Sequence, residues 1–181
     1  MLNMTEDQNL PAEISTTAPE TFIFDAIPIR EGVLFPSTES VLTFGRQLSL
    51  NAIKEANSDK KTVVLLTQKN AKVNMPEPND MYEIGTLADV EKKLNTKESV
   101  NALVRGIGRV RVLRFLSTAP KMIVEVEKVP DVEEQSDEAN VLVAHLQKEF
   151  RKAVHMGKPV EFLNFMKLMG GVTNGELTDQ I

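Results

Sequence analysis

The amino-acid sequence predicts an α+β fold, a small closed or nearly closed β-structure with one inserted helix, followed by a helical subdomain. Three observations carry this. From Thr21 to about Pro130 the apolar residues fall in short segments of strand length, separated by turn signals. One stretch, about Arg46 to Asn57, has helical spacing instead. Beyond Pro130 the pattern becomes helical, with acidic residues first and basic ones later, as a helix dipole favours.

Taken in order, residues 1–20 are polar, lack Lys and Arg, and predict a flexible tail rather than a secretory signal or basic transit peptide. Residues 21–130 form the β domain. Its candidate strands are Phe22–Pro28, Ser40–Phe44, Thr62–Gln68, Gly85–Glu91, Ser99–Arg105, Val110–Leu116 and Met122–Val129. Turns fall at Pro36-Ser37, Pro76-Glu77-Pro78-Asn79, Asn95-Thr96-Lys97 and Ala119-Pro120. In the inserted helix Leu50, Ile53, Ala56 and Asn57 form the expected buried stripe. Leu48 lies on the opposite side beside Gln47 and Asn51, either under a neighbouring loop or as a partner contact.

Residues 131–181 form the helical subdomain, with the boundary near Pro130–Asp137. Leu142, Leu146, Phe150 and Val154 make an i, i+4 stripe, and Gly157-Lys158-Pro159 breaks the helix. Phe162, Phe165, Met166 and Met169 share one face of a second helix, which Gly170-Gly171 ends. Asn174-Gly175-Glu176-Leu177 reads as a cap and first turn. So short a helix is unstable alone, so the subdomain is expected to continue past Ile181.

Composition narrows the function. A hydrophobic content of 41% and a charged content of 26% are those of a soluble globular protein. With no cysteine, disulfides and thiolate zinc sites are excluded. No apolar run, Val63–Leu66 included, approaches membrane-spanning length, so no membrane partner and a cytoplasmic location are expected. The net charge of −5 argues against nucleic acid.

Catalytic chemistry is sparse. There is no phosphate loop for ATP and no nucleophile elbow. His145 and His155 share a helix but stand about 15 Å apart at 1.5 Å per residue, too far for one metal ion. The pairs Glu133-Glu134 and Asp137-Glu138 sit at a helix start, where surface charge compensates the dipole. No catalytic, metal or cofactor residue is assigned. Arg105, Arg109, Arg111 and Arg114 surround a glycine hairpin at Gly106 and Gly108 that could grip phosphate, but no aromatic platform is interleaved. An ordinary solvated hairpin face is the preferred reading.

Several motifs carry a family resemblance in register. They are Pro28-Ile29-Arg30, Leu34-Phe35-Pro36, Phe44-Gly45-Arg46, Leu66-Thr67-Gln68-Lys69-Asn70, Asp80-Met81-Tyr82-Glu83-Ile84-Gly85-Thr86 and Val104-Arg105-Gly106-Ile107-Gly108-Arg109. Across residues 25–130 they resemble the N-terminal domain of the Lon family of ATP-dependent proteases. The chain departs from that family in its polar Pro36-Ser37-Thr38-Glu39-Ser40 loop and in having Asn95-Thr96-Lys97-Glu98 in place of a Pro-Asp-Gly turn.

The resemblance implies a PUA-like pseudo-barrel. It also implies a non-catalytic domain that recognises unfolded or damaged proteins and supports assembly of a hexamer. The Ser-Lys dyad and ATPase of such enzymes would lie in other modules of the parent chain. Loop-borne apolar residues are the expected contact surface: Phe35 and Pro36, and Met75, Pro76, Met81 and Tyr82. The helix face of Gln47, Leu48 and Asn51 is expected to join them. A stand-alone Lon-type binding protein and an RNA-binding PUA-like module are the alternatives.

Overall fold

A computed structural model describes residues 20–56, 61–132, 136–157, 159 and 162–180. Six strands carry the β part: β1 (Thr21–Ile29), β2 (Glu39–Phe44), β3 (Thr62–Thr67), β4 (Ile84–Asn95), β5 (Val100–Ser117) and β6 (Met122–Val129). The helices are α1 (Gln47–Glu55), α2 (Asp137–His155), α3 (Phe162–Gly170) and α4 (Asn174–Gln180). The strands form one mixed sheet in the order β2-β5-β4-β3-β1-β6, in which only β1 and β3 run parallel. Because β6 also pairs with β5, the run of pairings from β5 through β4, β3, β1 and β6 returns to β5.

Strand alternation divides the core in two. In β3, Val63 and Leu65 join one cluster while Val64 and Leu66 join the other, so all four are buried. In β1, Ile27 and Ala26 divide the same way. Leu50, Ala52 and Ile53 of α1, with Ala56 at its C-terminal cap, close the first cluster, and Met122, Val124 and Val126 of β6 line the second. The expected stripe Leu50, Ile53 and Ala56 is buried; Asn57 lies outside the described residues. Leu48 is half-buried against the second cluster, so α1 touches both.

The structure corrects the glycine hairpin. Residues 100–117 form one continuous strand, and Gly106 and Gly108 lie within it. A side chain at Gly106 would collide with the carbonyl of Phe35 and approach Pro36 Cα to 3.2 Å. The glycine therefore admits the neighbouring loop rather than turning the chain. The β4–β5 register shifts opposite this point, between Leu87 and Ala88.

The helical stripes differ from expectation as well. In α2, Leu142 and Leu146 are exposed. The half-buried row runs through Ala139, Val143, Gln147, Phe150 and Val154. There Phe150 stacks on Phe165 and Gln147 Nε2 donates to the Leu168 carbonyl at 3.2 Å. The helix is turned by about one residue because its contact is with α3, which sequence spacing does not reveal. In α3, Leu168 is the buried residue and Met166 is exposed, while the side chain of Phe162 lies outside the described residues. Thr173, not Asn174, caps α4 through a reciprocal pair: Glu176 N donates to Thr173 Oγ1, and Thr173 N to Glu176 Oε2.

A half-open apolar groove as the candidate functional site

Between β1 and β2 the chain runs through Gly32, Val33, Leu34, Phe35 and Pro36 without regular structure. Gly32 takes a φ of 80°, a conformation suited to glycine, and its carbonyl accepts from Thr67 Oγ1 at 2.8 Å. Thr86 Oγ1 donates to the Leu34 carbonyl, burying Leu34. Ser37 N donates to Gly106 O at 3.0 Å and Gly106 N to Thr38 O at 2.9 Å. The segment is thus pinned at three points and leaves a groove of about 820 Å³ against Leu65, Thr67 and the start of β4.

Gly85, at the edge of the groove, lets β4 lie close on β3, since a Cβ there would lie 2.7 Å from the Leu65 carbonyl oxygen and run into the Leu66 and Val64 side chains of the second core cluster. Val33, Phe35, Tyr82 and Ile84 line the groove with side chains from 43% to 56% exposed. Its charged neighbours are largely engaged elsewhere. Lys69 Nζ donates to the Asn79 carbonyl at 3.0 Å, and Arg109 forks between Asp131, at 2.7 Å, and Asp179. Glu83 is the remaining charge in the lining. Such a surface suits apolar side chains presented by another molecule.

The expected site residues divide. Phe35, Pro36 and Tyr82 meet in the groove lining, Pro36 being buried beneath the loop. Met81 does not: the bridge between Gln68 and Met81 sets the alternation so that Met81 enters the second core cluster, 2% exposed, and Tyr82 points out. Met75 is 86% exposed and Pro76 is buried, both on a neighbouring loop outside the groove lining. On α1, Gln47 and Asn51 hydrogen-bond to each other, Asn51 also donates to the Pro120 carbonyl, and Leu48 packs inward. These three do not line the groove either. Val33 and Ile84 escaped the sequence reading; their only signal was proximity to Phe35-Pro36 and Tyr82.

The basic cluster is neutralised. Arg105 pairs with Glu91 at 2.8 Å, Arg109 with Asp131 and Asp179, Arg111 with Glu127 at 3.2 Å, and Arg114 with Glu125. The hydrogen bond from Arg114 lowers the Glu125 pKa, and that to Glu91 raises the Arg105 pKa. Among the described residues no helix is long and apolar enough to cross a membrane.

Two solved structures share the fold. The N-terminal domain of a Mycobacterium avium complex Lon protease superposes with a TM-score of 0.62 at 15% identity, covering 87% of this chain and 80% of that one. A Lon N-terminal domain protein from Xanthomonas campestris gives 0.55 at 15% identity, over 88% and 96%. Among curated relatives, the Lon protease of Syntrophomonas wolfei is 32% identical over 156 residues, 86% of this chain and 19% of that protein. That of Koribacter versatilis is 38% identical over 106 residues, 58% of this chain and 13% of that protein. The chain thus spans about a fifth, or less, of these relatives' length. The model of the ATP-dependent protease La (LON) substrate-binding domain matches residues 25–172, most of the chain, and the chain therefore belongs to that family.

Proposed function

We propose that this chain captures exposed apolar segments of unfolded or damaged proteins and delivers them to ATPase and protease modules of a longer Lon-type polypeptide. The observation that carries the proposal is the half-open groove whose exposed lining is Val33, Phe35, Tyr82 and Ile84. Burying one such side chain contributes about 1.5–3 kcal/mol, enough for weak and adaptable capture. Six copies on a hexameric ring would raise the effective concentration of sites and convert weak contacts into retention. Met75 and the Gln47, Leu48 and Asn51 face would extend the surface beyond the groove.

On this reading the chain is a cytoplasmic recognition and assembly domain without catalysis of its own. Its β part, residues 21–130, is a PUA-like pseudo-barrel, a description that the returning run of strand pairings supports. The residues from 131 onward connect it to the rest of the parent. An RNA-binding role is disfavoured because each of the four clustered arginines already holds a carboxylate. A stand-alone binding module would use the same groove.

The test is size-exclusion light scattering with reduced, unfolded casein. Co-elution is expected with the native chain and weakened about tenfold or more in Phe35→Ser/Ile84→Ser. Equal association of the variant and native chains would remove the groove from the proposal.

A further inference from the structure

Apart from Ile29, which lines both, the motifs Pro28-Ile29-Arg30 and Phe44-Gly45-Arg46 have no part in the groove, yet the fold closes them around a second recess of about 390 Å³. Its two arginines differ from those of β5 in having only neutral partners. Arg30 Nη2 donates to Asn74 Oδ1 at 2.8 Å, and Arg46 donates to Gln68 Oε1 and, at 2.6 Å, to the Pro28 carbonyl. Among the described residues neither makes an ion pair. Burial, and then the charge of Arg30, hold the Arg46 pKa below its ordinary value, the mark of two cations kept close without a counter-ion.

A third group lines the same recess. Ser49 is 2% exposed, and its hydroxyl has no hydrogen-bond partner among the described residues. The first turn of α1, which opens here, has no side-chain cap and no acidic residue. Exposed Glu31 is the one carboxylate in the lining, against two guanidiniums. Apart from Thr43 the rest of the wall is apolar, chiefly Ile29, Leu42 and Phe44, and β2 pairs with β5 alone among the described strands.

We propose that this recess binds the free α-carboxylate of a polypeptide whose last side chain is apolar, with Arg30, Arg46 and Ser49 holding the carboxylate. The inference rests on the client-binding reading and adds a terminus preference to it. Guanidinium forks suit a carboxylate, and the apolar wall accommodates the side chain beside it. The unpaired edge of β2 offers main-chain hydrogen bonds to an extended segment approaching the recess. Inorganic phosphate would satisfy the cations but leave the apolar wall unused.

The test is fluorescence anisotropy of the 181-residue chain with a short labelled peptide ending in leucine, as the free acid and as the amide. The free acid is expected to bind about tenfold or more tightly, from the loss of charge-assisted hydrogen bonds in the amide. Arg30→Gln, at an exposed position, should abolish that preference with an unchanged melting temperature. Ser49→Ala, at a helical position that tolerates alanine, should weaken only the acid. Equal affinity for acid and amide overturns the proposal. So does Arg30-dependent binding of inorganic phosphate without acid–amide discrimination, which would mark a free-anion site. If casein still binds while the two peptides are not distinguished, this inference fails and the client-binding reading stands. If neither casein nor peptide binds, both fail.

Discussion

A methyl group at Gly106 tests the tightest contact that shapes the groove. The β carbon would collide with the carbonyl of Phe35 and lie 3.2 Å from Pro36 Cα, so the loop must move. Ser37 N donates to Gly106 O at 3.0 Å and Gly106 N to Thr38 O at 2.9 Å, and both bonds are strained by that movement. Weakening two bonds costs about 1 kcal/mol each, and overpacking adds about 1–3 kcal/mol. Replacing glycine offsets about 0.4–1 kcal/mol by restricting the unfolded chain. The net loss is about 2–5 kcal/mol, or about 4–18 °C in Tm for a chain of this size. Gly108→Ala, in the same strand, is the control, because nothing lies within 4 Å of a Cβ there. It should be neutral or slightly stabilising. Thermal melts of both variants, with hydrogen exchange across residues 33–38, measure the difference. Equal melting temperatures for the two variants, with the loop equally protected, would refute the assignment of Gly106 as the loop's seat.

Three further outcomes are expected. Arg109→Gln leaves Asp179, only 5% exposed, without its cation; hydrogen exchange over residues 174–180 should rise about tenfold or more while the β3 amides are unaffected, since an unpaired buried charge costs a few kcal/mol. Met81→Ala should cost about 2–5 kcal/mol by chemical denaturation, and Met75→Ala under about 0.5 kcal/mol, because one is in the core and the other in solvent. Hydrogen bonds to Asp25 and Glu55 raise the Lys121 pKa, so its contribution is present at neutral pH and is lost as pH rises through the folded-state value. Melting temperature against pH should therefore fall less on the alkaline side in Lys121→Met.

The strands were legible because turn residues bracket apolar segments, and that signal is local. Gly106 was not, because a glycine inside a strand pattern has two meanings, a turn or a close approach. Only the loop of Phe35 and Pro36 arriving from elsewhere decides between them. Met81 and Tyr82 form another local ambiguity. Either could face the core, and the bridge from Gln68, a long-range pairing, sets which one does. On α2 the apolar spacing was read correctly as helical, but the inward face depends on α3, through Phe165 and the Leu168 carbonyl. Phe35 and Tyr82 sit in distinctive motifs, and the structure brings them together in the groove lining. Val33 and Ile84 were missed because nothing in their own spacing separates a groove wall from an ordinary exposed residue.

The groove loop and the helical part are joined by more than chain connectivity. Ser37 holds a φ of 59°, which costs a non-glycine residue about 1–2 kcal/mol. Two contacts from different elements keep it there: its N–H on Gly106 of β5, and its hydroxyl on Glu176 of α4 at 3.0 Å. Glu176 is also half of the reciprocal pair that caps α4, so the start of the helix and the end of the loop share one carboxylate. Arg109 lines the groove and grips Asp179 three residues further along the same helix. Displacing α4 would thus release the Ser37 hydroxyl and leave Arg109, beside the groove, held by Asp131 alone, in one movement. The groove's shape and charge are therefore properties of the docked α4 as much as of the strands beneath it.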